Sequence, residues 1–196
     1  MNDTWSAVVP VVSVVALGSS LASGQIIFES EPNDTIATAD FATTFEPLGG
    51  SVAIDGTITN GDVDWFQIDV TAMTTLLFSA VASATDGADG QLMVVDGTGT
   101  DVLAFDDDSG PGLLPALQLF DLDAGTYYVG VSAFPDITFA DDAVNTDTLF
   151  DGLDSAGAAH TGDFSYKLTI SANLVPAPGV AAIFGAAAIA TVRRRR

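Results

Sequence analysis

The chain contains no cysteine and only one histidine, and this composition limits the catalytic and metal-binding sites that it can form. Without cysteine, no disulfide, zinc–thiolate site or cysteine nucleophile is available, so an exported form must be stabilised by something else. His160 stands in a Gly/Ala-rich stretch, which excludes a histidine-pair metal site and argues against a histidine-dependent triad. Neither a Gly-x-Ser-x-Gly elbow nor a phosphate-binding glycine loop occurs.

Basic residues are also scarce, since the chain has 5 of them against 26 acids. Four of the five are Arg193, Arg194, Arg195 and Arg196. With Asp3 set aside as part of a leader, the body carries 25 acids and Lys167 alone, a net charge of −24. This balance argues against binding to nucleic acid or anionic lipid, because both need Lys and Arg to neutralise phosphate. Solubility or life in a saline medium would explain the acids, and so would binding of divalent cations; the two explanations are compatible.

Residues 1–24 have the layout of a secretory signal peptide. An aliphatic run, Val8–Leu17, is followed by small residues, and Ala22 and Gly24 form a small-x-small cleavage pattern. The mature chain would then begin near Gln25. The segment lacks the usual Lys or Arg at its start and carries Asp3 instead, and a buried strand is the alternative interpretation.

From residue 39 onward, short stretches of alternating apolar and polar residues are separated by Gly, Asp and Asn turns. This pattern predicts an all-β fold over residues 25–174, an antiparallel β-sandwich of about eight strands. On the last strand, Phe164, Tyr166, Leu168 and Ile170 share one face, so Lys167 should point outward. The predicted strands lie near residues 51–58, 62–70, 75–83, 90–96, 101–105, 115–122, 126–134 and 163–172.

The strand that follows the Asn60-Gly61 turn poses a physical problem. Alternation places Phe66, Ile68 and Val70 on the core face and Trp65 on the other face. Asp64, and less securely Asp62, then point toward the core at the entrance of the strand. Such inward carboxylates are costly unless a cation or hydrogen-bond donors meet them.

A second acidic element lies upstream, at Glu29–Asp34. If this segment is extended, Glu29, Glu31 and Asn33 fall on one side with Asp34 adjacent, and Pro32 favours an extended Glu31. Such oxygen ligands suit calcium rather than a transition metal. The alternative is a solvated acidic loop in which Asn33 or Asp34 caps the next segment.

Two further acidic segments interrupt the strand pattern. Asp106–Gly110 has the composition of a turn and could also ligate a cation. The connection 135–162 contains six aspartates with Phe139 and Phe150 between them, and its length indicates either a functional or a mobile loop.

The chain ends with an apolar run, Val180–Val192, followed by the four arginines. As a helix this run would measure about 20 Å, short of the roughly 30 Å hydrocarbon core of a bilayer. We therefore expect a transient membrane stop, with the arginines on the cytoplasmic side, rather than a stable anchor.

The body, residues 29–172, resembles the bacterial pre-peptidase C-terminal domain, a family related to the collagen-binding domains of clostridial collagenases. The matching elements, in the family's order, are Glu29–Asp34, Gly61–Phe66, Asp106–Gly110 and Gly125–Val131. The resemblance implies a jelly-roll sandwich that binds calcium between an acidic N-terminal segment and an Asp-bearing strand. Carried over, the implied Ca²⁺ ligands are Glu29, Glu31, Asn33, Asp34, Asp62 and Asp64. Collagen binding does not carry over, because its surface aromatics have no match here.

The tail resembles a PEP-CTERM sorting signal, which combines a proline motif, a short apolar segment and a basic end. The proline motif is Val175, Pro176, Ala177, Pro178 and Gly179, and Ala177 stands where the family's namesake motif has Glu. The resemblance implies recognition by an exosortase-type membrane protease in a Gram-negative bacterium. Residues 175–196 would form this sorting segment, with an apolar helix before Arg193–Arg196 and transient inner-membrane contact.

Together these features predict a secreted or cell-surface, calcium-stabilised β-sandwich module without catalytic activity. One alternative is an adhesin that binds carbohydrate or protein in an extracellular polysaccharide matrix. A second is a glycoside-active enzyme that uses acids of the 135–162 loop. Acids concentrated in Gly/Asp turns are mostly solvated, however, and their pKa values then stay too low for general-acid catalysis.

Overall fold

The computed structural model describes residues 24–84, 87–136 and 162–174, and these residues form an all-β structure. A short 3₁₀ helix at Ile36–Thr38 separates the first two of the ten described strands. The strands are β1 (Gln25–Phe28), β2 (Asp40–Phe45), β3 (Gly50–Ile58), β4 (Val63–Val70), β5 (Thr74–Ala82), β6 (Gly90–Asp96), β7 (Val102–Asp106), β8 (Ala116–Leu122), β9 (Gly125–Ala133) and β10 (Phe164–Leu174).

The strands form two five-stranded sheets. The first sheet has the order β1-β3-β10-β5-β8 and the second the order β2-β4-β9-β6-β7. Neighbours in both sheets are often far apart in the sequence, as in β3 beside β10, so the chain crosses repeatedly between the sheets. The prediction of an all-β sandwich is confirmed.

All eight predicted strands are present, and the sequence pattern missed β1 and β2. Both of these strands lie at sheet edges, and both pair parallel: β1 with β3, and β2 with β4. The antiparallel arrangement therefore holds for the eight predicted strands, while two parallel edge strands extend it.

The main core lies between the sheets and takes alternate residues from each. Phe66, Ile68 and Val70 of β4 belong to it, as the alternation along that strand predicts. From the first sheet, Ile54, Leu168 and other inward side chains meet them, most with no exposed surface. Apolar burial on this scale is the main favourable term in folding.

The opposite face of β4 is also buried over the first half of the strand, whereas the sequence pattern identified only the Phe66 face as a core face. Trp65 has no exposed surface and packs in a second cluster with Val63, Met93 and Val95. Ile36 and Ala39, in and after the 3₁₀ helix, pack against this cluster. A central strand covered on both faces carries apolar residues on both, so alternation alone does not reveal that its second face is buried as well.

Lys167 points away from the core, as predicted. Its Nζ lies 3.2 Å from Asp55 Oδ1 on the neighbouring strand β3, and the Lys167 side chain is 39% exposed. The one base of the body therefore pairs with an acid on the sheet surface rather than with the inward-facing Asp64.

Several predictions concern residues outside the described ranges. These are the signal segment before Gly24, most of the 135–162 connection with His160, and the sorting segment 175–196 with its apolar helix. Among the described residues, no helix has both the length and the apolar character needed to cross a membrane.

Candidate metal site

The turn before β4 fixes the first of the inward-facing acids. Gly61 adopts a left-handed φ of 77°, and Asp62 N donates to Thr59 O at 3.2 Å, which closes the turn. The carboxylate of Asp62 then accepts hydrogen bonds from Thr59 N at 3.0 Å and Thr59 Oγ1 at 3.2 Å. Asp62 is 6% exposed and Asp64 is fully buried, so both acids lie where the alternation along β4 places them.

Two main-chain hydrogen bonds bring the acidic segment Glu29–Asp34 against this end of the sandwich. Glu29 N donates to Asp55 O at 3.1 Å, extending the β1–β3 pairing by one residue. Trp65 N donates to Asn33 O at 2.9 Å, which ties the segment to β4. The segment therefore bridges an edge of the first sheet and a central strand of the second.

Carboxylates from both elements converge at this junction. One oxygen each of Glu31, Asp62 and Asp64 lies within 4.8 Å of the others. A cleft of about 350 Å³ opens beside them, and its lining includes Glu29, Glu31, Asp34 and Asp62 together with Thr57 and Thr59. The structure therefore brings the six sequence-predicted residues together, with Asn33 beneath the acids and Asp64 at the bottom of the cluster.

Asn33 has no exposed surface and faces two of the acids. With its amide nitrogen turned toward them, it donates to Asp64 Oδ1 and to Glu31 Oε2, at 3.3 Å in each case. Its main-chain N–H donates to Glu31 Oε2 as well, at 3.2 Å. The opposite orientation of the same amide would present its oxygen to a cation held between these carboxylates.

Glu29 has one satisfied oxygen and one unsatisfied oxygen. Its Oε1 accepts a hydrogen bond from Thr57 N at 2.7 Å. Its Oε2 is buried and has no hydrogen-bond donor within the described parts of the chain. The carboxyl group of Asp64 lies within hydrogen-bonding contact of Glu29, so the proton of Asp64 or a cation can bridge the two groups.

Tyr166, a residue that the site prediction missed, supplies the donor to Asp64. Its hydroxyl donates to Asp64 Oδ2 at 2.6 Å and joins β10 of the first sheet to β4 of the second. A signal was present in the sequence, because a tyrosine on a core face needs a hydrogen-bond partner for its hydroxyl.

Gly56, on β3, makes this hydrogen bond possible. A Cβ added to Gly56 would lie 2.3 Å from Tyr166 Cζ and 2.6 Å from Glu29 Oε2. The absence of a side chain at this position therefore gives the phenol its path to the acids.

Burial dominates the electrostatics of Asp64. It raises the pKa of this carboxyl to about 10, with the adjacent Glu29 carboxyl adding to the effect and the Tyr166 hydroxyl opposing it. The pKa of Tyr166 is raised well above its ordinary value by burial and by Asp64. Without a cation, Asp64 is therefore protonated at neutral pH; it accepts the hydrogen bond from Tyr166 and can donate its own proton to Glu29.

The pKa values of the two more exposed acids, Glu31 and Asp34, are also raised. Partial burial and the neighbouring Asp62 raise the pKa of Glu31, even though the Asn33 N–H opposes the change. Partial burial and contact with Asp62 likewise raise the pKa of Asp34. Every resolved pKa shift in the cluster is therefore upward, with burial as its largest cause and the neighbouring acids as a further cause.

These residues fit a calcium ion. Calcium takes six to eight oxygen ligands at about 2.3–2.6 Å, so two ligand atoms on opposite sides of the ion are about 5 Å apart. One oxygen each of Glu31, Asp62 and Asp64 lies within 4.8 Å of the others, close enough for a single ion to contact all three. The donors are carboxylates and one amide, and the cluster includes no histidine, which disfavours zinc and copper.

The acidic stretch Asp106–Gly110, the other candidate cation ligand, behaves as a structural turn. The Asp106 carboxylate accepts hydrogen bonds from Ser109 N at 3.1 Å, Ser109 Oγ at 2.6 Å and Ala116 N at 2.8 Å. Protein donors thus occupy both of its oxygens, which supports the turn interpretation.

Several solved structures resemble this fold at low sequence identity. The pre-peptidase C-terminal domain of a Bacillus anthracis collagenase is 14% identical, with 67% of this chain and 93% of that chain covered and a TM-score of 0.42. PliG from Aeromonas hydrophila, a periplasmic inhibitor of g-type lysozyme, is 14% identical over 69% of this chain and 99% of its own, with a TM-score of 0.40. PliG from Salmonella Typhimurium is 12% identical, with 69% and 100% covered and a TM-score of 0.37.

No curated protein sequence matches the chain. A family model does match, over a stretch that begins at the turn before β4 and ends with β9. This stretch includes Asp62 and Asp64 and leaves out the acidic segment Glu29–Asp34. Residues 62–133 match the bacterial pre-peptidase C-terminal domain.

Proposed function

We propose that this protein is an exported, non-catalytic β-sandwich module whose fold is stabilised by calcium bound at the Glu29–Asp34 and Asp62–Asp64 junction. The observation that carries the proposal is the fully buried Asp64, which faces other carboxylates at a site built from two chain segments. A divalent cation would neutralise these acids and cross-link the segment to β4. In a protein without cysteine, this cross-link would stabilise the fold in the way that disulfides stabilise other exported domains.

Two observations favour a structural role over catalysis. Asp64 has no solvent-exposed surface, so water and substrate do not reach it. Asp136, the described acid at the start of the 135–162 connection, is also fully buried and accepts a hydrogen bond from Ser132 Oγ at 2.6 Å. A glycoside-active enzyme needs a pair of carboxyls flanking an accessible bond.

Thermal unfolding tests the calcium proposal. The protein is freed of metal with a chelator and melted at low ionic strength, with and without added CaCl₂. A ligand that binds only the folded state at 100 times its Kd adds about 2.7 kcal/mol of stability. For a chain of this size, that amount raises the Tm by roughly 5–10 °C.

Three controls make the result specific. MgCl₂ at the same concentration should raise the Tm less, because Mg²⁺ demands a tighter octahedral site. NaCl at matched ionic strength measures general screening of the acidic surface. Equal increases with NaCl and CaCl₂, or no increase with CaCl₂, would contradict a calcium site.

We also infer export through the leader and sorting through the C-terminal segment, with an exosortase-type protease as partner. The support is the layout of residues 1–24 and 175–196 in the sequence. Intact-mass measurement of the protein from its native host tests both ends. The inference predicts a mature N-terminus near Gln25 and loss of Arg193–Arg196, and it is overturned if either terminus is retained.

A second candidate function, an adhesin of the extracellular polysaccharide matrix, is favoured by one surface of the sandwich. The outer face of the first sheet carries several hydroxyl groups, and its strands contain only three charged residues, Asp55, Asp121 and Lys167, although the body is strongly acidic.

A further inference from the structure

The turn that leads into β4 contains the one Asn-Gly pair of the chain, Asn60-Gly61. The other four asparagines, at positions 2, 33, 145 and 173, precede Asp, Asp, Thr and Leu. Asparagine is chemically labile because the backbone nitrogen of the next residue can attack its side chain, and glycine offers no Cβ to obstruct that attack. Asn60 is therefore the asparagine whose following residue least hinders the reaction.

Both reacting groups of this pair are accessible. Asn60 is exposed, whereas Asn33 has no exposed surface. Within the described part of the chain, neither the Asn60 side-chain amide nor the Gly61 N–H makes a hydrogen bond. The attacking nitrogen and the amide that it attacks are thus both available.

The turn around this pair is closed by few contacts. Asp62 N donates to Thr59 O at 3.2 Å. The Asp62 carboxylate also accepts hydrogen bonds from Thr59 N at 3.0 Å and from Thr59 Oγ1 at 3.2 Å. Rotation about the Asn60 Cα–C bond, which brings Gly61 N to Asn60 Cγ, strains these contacts. We therefore expect the folded turn to react more slowly than an unfolded chain.

We propose that Asn60 is a site of spontaneous conversion to isoaspartate, with water as the co-reactant. Gly61 N attacks Asn60 Cγ, so a C–N bond forms, the bond from Cγ to the amide nitrogen breaks, and ammonia leaves with the proton of Gly61 N. Water then opens the succinimide ring at one of its two carbonyl carbons. Opening at Cγ gives aspartate, and opening at the main-chain carbonyl gives isoaspartate. Either product has gained one water and lost one ammonia.

The modified residue would border the candidate calcium site. Asn60 and Gly61 line the same cleft as Glu31, Asp34 and Asp62. Isoaspartate adds one carbon, about 1.5 Å of chain, between residues 60 and 61. This change falls two residues before Asp62 and alters the turn that fixes its carboxylate. The effect on calcium rests on the proposed function, whereas the conversion itself does not.

The two products should affect calcium binding in opposite directions. Aspartate at position 60 keeps the main chain and adds a negative charge to the cleft, which attracts a cation. Isoaspartate also adds a carboxylate, but it disturbs the hydrogen bonds from Thr59 that orient Asp62. Loss of such a supporting partner typically weakens metal binding about tenfold or more.

Ageing of the full-length protein tests the proposal. Chelator-treated protein is incubated at mildly alkaline pH, beside a synthetic peptide that spans residues 57–64. Peptide mass spectrometry measures loss of the Asn60 amide, and an isoaspartate-specific methyltransferase measures isoaspartate. We expect conversion at Asn60 and none at Asn173, the exposed asparagine that precedes leucine. An Asn60 amide that persists in the folded protein after the peptide has reacted would overturn the proposal.

Two variants separate the reaction from its effect. Asn60→Gln should stay an amide, because glutamine would have to close a six-membered ring, and its calcium-dependent rise in Tm should not change during incubation. Fully aged wild type should bind calcium about tenfold more weakly than fresh protein. Asn60→Asp should bind it at least as tightly as the fresh wild type. Equal calcium binding by fresh and fully aged wild type would overturn the link between this turn and the calcium site.

The rate of conversion gives a further test of that link. An ion bound to Asp62 should hold the turn, so CaCl₂ should slow conversion relative to chelator; equal rates would contradict the link. The calcium proposal fails if fresh protein shows no calcium response in its melting curves. Conversion of Asn60 is decided separately, by the mass and isoaspartate measurements, which need no calcium.

Discussion

At the scale of single residues, Asp64 and Tyr166 create the chemistry of the candidate site. Asp64 is an acid with no exposed surface, and its neutral form accepts a hydrogen bond from Tyr166. Its neighbours Glu29 and Asp62 are also acids, so ionisation of Asp64 without a cation would bury an uncompensated charge. A cation changes this balance by favouring the ionised form.

Asp64→Asn should distinguish the neutral, metal-free state of this residue from its ionised, calcium-bound state. The amide keeps an acceptor for Tyr166 and removes the buried acid, so the metal-free variant should be at least as stable as the wild type. It should also lose most of the calcium-dependent rise in Tm, because a ligand carboxylate is gone. Asp101→Asn, the same change at an exposed acid outside the cluster, should leave the calcium effect intact. A full calcium response in Asp64→Asn would exclude this residue as a ligand.

Gly56→Ala should be strongly destabilising. The added Cβ would lie 2.3 Å from Tyr166 Cζ, a contact that can be relieved only by moving a fully buried ring. We expect a loss of about 1–3 kcal/mol from overpacking, with further loss if the Tyr166–Asp64 hydrogen bond breaks. Gly125→Ala is the matched control, since its Cβ would meet nothing closer than 3.6 Å. Urea unfolding of the two variants measures the difference, and equal stabilities would contradict the close packing described above.

At the scale of elements, the sequence predicted the strands that alternate between core and solvent. β3, β5 and β10 show this alternation clearly, and their turns contain Gly, Asp or Asn. β1 escaped prediction because it is a short edge strand in which only Ile27 packs against the core. In β2 the buried residues Ala42 and Phe45 are three apart, because a register shift after Phe41 breaks the alternation. The parallel pairing of an edge strand depends on a distant partner, which no local pattern reveals.

The candidate site was predictable for a different reason. The positions of Asp62 and Asp64 follow from the period of β4, and an extended Glu29–Asp34 segment offers its oxygens on one side. Tyr166 and Gly56 were not predicted, because their contribution depends on β10 and β3 lying beside each other, about 110 residues apart in sequence. Local periodicity specifies which face a side chain occupies, whereas the residue it meets across the sandwich depends on topology.

The turn after β7 allows a test at the level of one element. Asp106→Ala removes the acceptor for Ser109 and Ala116, which leaves main-chain donors unsatisfied at the β7–β8 connection. We expect a loss of about 1–3 kcal/mol in urea unfolding. The calcium-dependent rise in Tm should be unchanged, because this turn lies outside the Glu29–Asp64 cluster. A reduced calcium response in Asp106→Ala would instead indicate that this turn ligates the ion.

At the scale of the whole molecule, the acids divide into groups with separate effects. Those of the cluster join the N-terminal segment to the centre of the second sheet, and those of the loops add surface charge. The strands of the first sheet carry only three charged residues, Asp55, Asp121 and Lys167, and Lys167 pairs with Asp55. A strongly acidic composition therefore need not make every surface of the protein acidic.

The raised pKa values in the cluster predict how stability depends on pH when no metal is bound. The pKa of Asp64 rises from an ordinary 3.8 to about 10 on folding, and those of Glu31 and Asp34 rise as well. Between these limits the folded state binds more protons than the unfolded state, so stability must fall as pH rises. A single carboxyl that stays protonated contributes a loss of about 1.4 kcal/mol per pH unit.

Chemical unfolding of the chelator-treated protein between pH 5 and pH 8 measures this slope. We expect stability to be highest at pH 5 and to fall steadily toward pH 8, and we expect added CaCl₂ to reverse most of the fall. Calcium replaces the proton on Asp64, so the bound form no longer takes up extra protons on folding. Asp64→Asn should show a shallower slope without calcium, because one of the shifted groups is absent. A metal-free protein that gains stability from pH 5 to pH 8 would show that these carboxyls are ionised in the folded state, and the buried cluster would then need a source of positive charge other than calcium.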